Sequence, residues 1–318
     1  MIRQITDAQV SQTLTPALAI ESQKAAFTLP SEVPSRIILH QLVTDSTLFK
    51  PAAITTPSGN VHVGMKVVSV RPANAEIGLP TVPGTILMLD DTTGIVNSII
   101  SATLLTAIRT AAGSAIASLA LRGKKSNAVL TVFGAGMQGV EHVRHLLHAF
   151  PIIKKVNIVN RTKPRAEAAI VKLKEEYPGQ EYCCLLLSDN EGIKEAVSSS
   201  DIICLCTNSS TPLFPPNLLK PDAHVNGVGS YTPGMQEIGV EDIQSFEIVV
   251  VDSFGAKTVG DIAKAVEEGK FREEELVELK TVLEEEKVRE GRTFFKSVGV
   301  ASQDIAAAGF LIEALDSE

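Results

Sequence analysis

An apolar, β-branched run, Ala128–Phe133, leads into Gly134-Ala135-Gly136-Met137-Gln138-Gly139, and residues with helical spacing follow from Val140 to Phe150. Glycines at this spacing, ending a strand and opening a helix, leave few folds open. Gly134 permits the tight turn, Gly136 lets the backbone approach a ligand closely, and Gly139 lets helix and sheet pack together. The helix start would present unpaired N–H groups and the positive end of its dipole, a seat for a diphosphate. The expectation is a dinucleotide site built on Gly134, Ala135, Gly136, Met137, Gln138 and Gly139.

The rest of that half supports the same fold. Apolar runs at Val156–Val159, Tyr182–Leu187, Asp201–Thr207, His224–Val228 and Glu247–Asp252 alternate with helix-like or turn-rich stretches. Near-continuous apolar strands separated by helices mark a parallel sheet covered on both faces. Residues 126–299 therefore read as a Rossmann-type, doubly wound α/β domain. Residues 1–125 read as α+β, with strand-like runs at Arg36–Leu42, Val61–Val70, Thr85–Leu89 and Ile95–Ile100, then one long helix over about Ala102–Leu121. The polar stretch Arg122–Asn127 is the expected boundary. The densely charged Val266–Glu290 segment reads as one solvated helix with Leu276, Val277, Leu279, Val282 and Leu283 on its apolar face. After it, Gly299–Leu315 returns to an Ala-rich apolar pattern.

Composition removes several function classes. A net charge of −8, no Trp and 4% aromatics argue against an extended nucleic-acid surface or a base-stacking platform. The same charge suits an anionic membrane surface poorly. No apolar run reads as a membrane span, and MIRQITDAQV has no signal-peptide core. The four cysteines lie in strand-like runs without zinc-type spacing, so neither a metal nor a disulfide framework is expected and the setting reads as cytoplasmic.

The second strand of the dinucleotide unit decides the cofactor. An NAD site usually ends that strand with Asp or Glu, for the ribose 2′-hydroxyl. Here it ends Val159-Asn160-Arg161-Thr162-Lys-Pro-Arg165. Arg161 can clamp a 2′-phosphate, and Asn160 and Thr162 can add hydrogen bonds, so NADP(H) is favoured over NAD(H), with Arg165 also expected among the cofactor-binding residues. His142, His145 and His148 lie opposite the stripe of Val140, Val143, Leu146, Leu147 and Phe150. They are expected to face solvent or a partner, not a metal.

Arg109 is the only charged residue between Asp91 and Arg122, amid small apolar residues, and Lys66 interrupts the otherwise apolar Val61–Val70. A buried Arg calls for an anionic partner, and a buried Lys can acquire a lowered pKa. With Arg36, these cations suggest a site for a small carboxylate beside a hydride cofactor.

Taken together, these residues resemble the ornithine cyclodeaminase/mu-crystallin family. The resemblance rests on Arg36, the Lys66 strand, Thr106–Ala112, Gly134–Gln138, Asn160–Thr162, Asn226–Pro233 and Phe295–Asp304. It implies a homodimer with an N-terminal substrate and dimerisation domain, to which a C-terminal helix at about 300–318 returns. It also implies that Arg36, Lys66 and Arg109 hold the substrate carboxylate beside the nicotinamide, and that Thr207, Val228 and Ser297 line the cofactor cleft.

The chain departs from the cyclodeaminases of that family. Thr47-Leu-Phe-Lys-Pro51 lacks their acidic residue, and Tyr231 stands where they carry an amine-handling Asp. Ser101 replaces the Asp of many members ahead of the Arg109 helix. The expected activity is NADPH-dependent reduction of cyclic ketimine carboxylates, such as Δ1-pyrroline-2-carboxylate or Δ1-piperideine-2-carboxylate, to L-proline or L-pipecolate. An NAD-recycling ornithine cyclodeaminase and a mu-crystallin-like, NADPH-gated binding protein are the alternatives.

Overall fold

The computed structural model describes residues 2–40, 45–56, 59–123 and 128–317. The chain divides into two compact units, residues 1–112 with 299–318, and residues 113–298.

The first unit opens with β1 (Arg3–Ile5), α1 (Asp7–Thr13) and α2 (Pro16–Thr28). Thr6 caps α1 in a capping box with Gln9, and Thr15 caps α2, whose first residue is Pro16. Strands β2 (Ser31–Glu32), β3 (Ile37–His40), β4 (Ser46–Thr55), β5 (Val61–Val70), β6 (Gly84–Leu89) and β7 (Val96–Ser101) follow. They form a mostly antiparallel sheet ordered β1-β7-β6-β5-β4-β2, with β3 also on β4. Strand β4 is not among the strand-like runs expected from the sequence. The expected Arg36–Leu42 strand is seen as β3, and residues 41–42 lie outside the described residues.

Helix α3 (Ala102–Arg122) crosses the division between the units. It is long and apolar enough to cross a membrane, with mean hydropathy 1.5, but 78% of that window is buried within the protein, as in a core helix. The division therefore falls inside α3, not at 122–127 as expected; residues 124–127 lie outside the described residues. Ser114 and Ser118, past the division, hydrogen-bond to His142 and Asn226.

The second unit carries β8 (Val129–Phe133), α4 (Met137–Ala149), β9 (Lys155–Asn160), α5 (Lys163–Glu176), β10 (Glu181–Leu186), α6 (Asn190–Ser199), β11 (Ile202–Leu205) and β12 (His224–Gly227). It continues through α7 (Val240–Gln244), β13 (Ile248–Val251), α8 (Gly260–Glu267), β14 (Leu276–Glu278), α9 (Leu279–Glu285) and β15 (Thr293–Lys296). All eight strands run parallel in the order β10-β9-β8-β11-β12-β15-β13-β14. The order reverses between β8 and β11, the switch point at which such sheets bind ligands.

The charged 266–290 segment differs from the expected single helix. Leu276 and Val277 lie in β14, which extends the sheet beside β13, and Leu279 and Val282 are buried in α9. Pairing with an existing sheet edge outweighs the helical pattern of so short a run. The histidines are a second difference. His148 is exposed, but His142 and His145 are buried on α4. His142 Nε2 lies 2.9 Å from Ser114 Oγ, so the end of α3 covers the face expected to be open, and burial pushes His142 down to about 4 and His145 to about 3.

The chain returns to the first unit as α10 (Ala301–Asp316). Gly309 lets α10 settle on the sheet: a Cβ there would lie 2.4 Å from the His62 ring of β5. Ile305 and Leu311 join Ile86, Ile100, Leu105 and Ile108 in this unit's core.

Candidate active site

Strands β4 and β5 pair with Lys50 directly opposite Lys66. Both side chains are on the covered side, Lys66 at 1% exposure, beneath α10. Two facing ammonium groups repel one another and are costly to bury without an anion. Asp304, in the first turn of α10, supplies it. Its Oδ1 accepts from Lys66 Nζ at 2.8 Å and from Arg109 Nε at 2.9 Å. Its Oδ2 forms an ion pair with Lys50 Nζ at 3.3 Å.

Neighbouring atoms hold this cluster. Lys66 Nζ also donates to Thr106 Oγ1 at 3.1 Å, Arg109 Nη1 to Gln303 Oε1 at 3.2 Å, and Lys50 Nζ to the Gly299 carbonyl at 3.2 Å. Burial pushes Lys66 down to about 7, against the pull of Asp304, with the Lys50 and Arg109 charges adding to the shift. Burial lowers Lys50 too. The three cations hold the Asp304 carboxyl well below the usual carboxylate range, outweighing its burial. The structure thus brings Lys66 and Arg109 together. It leaves Arg36 exposed just before β3, with its charge felt at Lys50.

Lys50 and Asp304 are not among the site residues expected from the sequence. The signal was present: Asp304 is the only charged residue between Lys296 and Glu313, and Lys50 the only one in β4. The rule that singled out Arg109 applies equally to both.

In the second unit, Gly134 has φ +103°, and its amide donates to the Val159 carbonyl at 2.8 Å. A Cβ on Gly139 would lie 1.8 Å from the Gly134 carbonyl oxygen, so only glycine fits. Gly136 caps α4 with no side-chain hydrogen bond, and the Arg165 guanidinium lies 3.4 Å from where its Cβ would be. A close-approach turn and an open helix start are the features that seat a dinucleotide diphosphate, and the adjacent guanidinium adds positive charge beside them. The residues present fit that group. Asn160, at the end of β9, accepts from the Ala135 amide at 3.2 Å and donates to Thr162 at 2.9 Å. Arg161, Thr162 and Arg165 are exposed at the same edge, Met137 is exposed at the start of α4, and Ala135 is buried while Gln138 is partly so.

Thr207 and Val228 follow β11 and β12, and Ser297 follows β15, at the carboxyl ends of adjoining strands. Ser297 Oγ donates to Asp252 Oδ2 at 2.9 Å. Among the described residues, no group of three or more His, Cys, Asp or Glu is placed to hold a metal ion.

A reversing parallel sheet with this glycine loop in the second unit, and a buried cationic cluster in the first, define a two-unit, dinucleotide-type α/β protein. The chain belongs to the ornithine cyclodeaminase/mu-crystallin family, whose model matches residues 8–318. It is similar to the Δ(1)-pyrroline-2-carboxylate reductase of Bacillus cereus, 36% identical over 271 residues that cover 82% of this chain and 81% of that protein. The ketimine reductase mu-crystallin of Macropus fuliginosus is 32% identical over 269 residues, 83% of this chain and 77% of that one. Among solved structures, Thermococcus litoralis Δ(1)-pyrroline-2-carboxylate reductase in complex with NADH and L-proline matches with a TM-score of 0.90. It is 25% identical, over 99% of this chain and 98% of that one.

Proposed function

We propose that the chain reduces cyclic ketimine carboxylates, taking Δ1-pyrroline-2-carboxylate or Δ1-piperideine-2-carboxylate to L-proline or L-pipecolate with NADPH. The observation that carries this reading is the excess of buried cation around Asp304. One carboxylate meets Lys50, Lys66 and Arg109, and a substrate carboxylate would balance the remainder. The relatives named for pyrroline-2-carboxylate reduction and ketimine reduction support the same activity.

A bound nicotinamide supplies the hydride that enters the imine carbon. The chain's own residues bind, orient and protonate. Arg109, fixed through Nε and Nη1, offers its remaining guanidinium donors to the substrate carboxylate, and Arg36 is a second cation for it. Lys66 holds a proton for the ring nitrogen, making the C=N carbon a stronger hydride acceptor. A pKa near neutrality suits that role. Thr106 and Asp304 fix the ammonium in place.

The preference for NADPH rests on the β9 end, where Asn160-Arg161-Thr162 has no carboxylate for a ribose 2′-hydroxyl and Arg165 stands beside Gly136. Residues 1–125 serve as the substrate and dimerisation region of this reading, with 300–318 returning to it. Exposed Ile37, Ile38 and Leu39 on β3 provide apolar surface for a second copy. Sedimentation of the purified chain reads a dimer mass if this is right.

The test is NADPH consumption by the purified protein on adding either imine, with the product identified by chromatography. L-Proline or L-pipecolate formed in step with NADPH loss bears the proposal out. No consumption with either imine overturns it.

A further inference from the structure

The loops that follow β8, β11 and β12 press against one another within residues 113–298. A Cβ on Gly134 would lie 2.5 Å from the Cys206 carbonyl oxygen. One on Gly229 would lie 1.9 Å from the Thr207 carbonyl oxygen and 2.6 Å from Glu237 Oε1. Glu237, fully buried, joins two of these loops. Its Oε1 accepts from the Thr207 amide at 2.6 Å and from Thr207 Oγ1 at 2.8 Å. Its Oε2 accepts from the Gly229 and Ser230 amides at 2.7 and 3.1 Å.

The carboxylate is itself braced. The Glu237 amide donates to Asp261 Oδ1 at 2.7 Å, while Asp261 Oδ2 accepts from Lys296 Nζ at 3.1 Å and from Ser230 Oγ. Lys296 and Asp261 are fully buried as well. A buried ion pair and a third charged group are an expensive way to join two loops that ordinary packing could join. What the arrangement adds is geometric definition.

In a doubly wound sheet the strands on either side of the switch point carry the two mononucleotide halves of the ligand. Strands β8–β10 carry the glycine loop and the basic β9 end, which leaves β11 and β12 for the nicotinamide half. Resting on the dinucleotide reading above, we propose that Glu237 is a positioning residue for the nicotinamide half of the cofactor, setting the spacing of the Thr207 and Gly229–Ser230 loops.

Glutamine is the informative replacement at this site. All four partners of Glu237 are donors, so a carboxamide of the same size would turn its NH2 toward either the Thr207 or the Gly229–Ser230 pair. One loop must then let go. Aspartate keeps the charge, but its shorter side chain reaches the two loops less well.

The experiment measures dissociation constants of wild type, Glu237→Gln and Glu237→Asp for NADPH and for 2′,5′-ADP, which carries only the adenosine half. NADH and ADP are run in parallel, and thermal unfolding controls for folding. Wild type should bind the dinucleotide and its fragment. Glu237→Gln should lose about tenfold or more in dinucleotide affinity while holding the fragment within about twofold, with Glu237→Asp between. A merely structural role would move both ligands together, and that result overturns the proposal, as does unchanged dinucleotide binding. If Glu237→Gln does not fold, Glu237→Asp carries the same comparison. A wild-type chain that binds no dinucleotide overturns the cofactor reading itself, and the positioning role with it.

Discussion

Lys50 and Lys66 face each other across β4 and β5, and the Asp304 carboxylate, in α10, pairs with both. Arg109 reaches the same oxygen as Lys66. Lys66 and Asp304 are 238 positions apart in the chain, so the contact is also a folding constraint.

Asp304→Asn leaves these cations without their carboxylate, and breaking a buried pair from one side typically costs about 3–5 kcal/mol. Urea unfolding should show a loss of that order. Adding Lys50→Met removes one of the facing ammonium groups and should recover part of it, with a coupling of about 0.5–3 kcal/mol. Additive losses in the double variant would mean the charges do not communicate.

Lys66 predicts a pH limb. Because burial lowers its pKa to about 7, the proton-donating form declines as pH rises through that value. Turnover relative to KM should therefore fall on the alkaline side of neutrality. Lys66→Met should lower kcat by about 100- to 10,000-fold and remove that limb, leaving NADPH affinity within about twofold. A variant with weakened NADPH binding and intact kcat would contradict the assignment.

Arg109→Lys keeps the charge but loses the planar fork that spans Asp304 and Gln303. The expected result is a rise of about tenfold or more in the imine KM. Steady-state kinetics at saturating NADPH reads this directly, and an unchanged KM would remove Arg109 from carboxylate recognition.

At the β9 end, replacing Arg161 and Arg165 together by Ala should raise the NADPH KM by about tenfold or more and change the NADH KM little. Equal effects on both would place these side chains elsewhere than at a 2′-phosphate. Gly139→Ala is more severe, since its Cβ would lie 1.8 Å from the Gly134 carbonyl oxygen. That variant should bind neither dinucleotide, as read by titration.

Legibility in the sequence followed burial. Strands covered on both faces produce uninterrupted apolar runs, so β8, β9, β11, β12 and β13 are visible within a few residues of their observed ends, whereas β10 is half-buried at the sheet edge and is visible by its apolar residues alone, and the apolar run of the buried β15 is too short to stand out. Strand β4 is hidden because Lys50 and Pro51 interrupt its apolar pattern, although Lys50 lies on the buried face. His142 and His145 mislead because an amphipathic helix covered on two sides looks the same in sequence as one covered on one side. Of the site, Lys66 and Arg109 stand out as lone charges in apolar runs, and the same test would have found Asp304. Glu237 gives no such signal. It lies in a turn-rich stretch, and only its four converging donors in the folded chain distinguish it.

Hydride delivery to an imine carbon leaves an isotopic trace in the product. Protein is incubated with NADPH deuterated at nicotinamide C4, on the transferred face, and Δ1-pyrroline-2-carboxylate, and the proline formed is analysed by mass spectrometry and NMR. The expected product carries one deuterium, at C2. Proline without deuterium, or no proline at all while L-ornithine releases ammonia without net cofactor consumption, would contradict it.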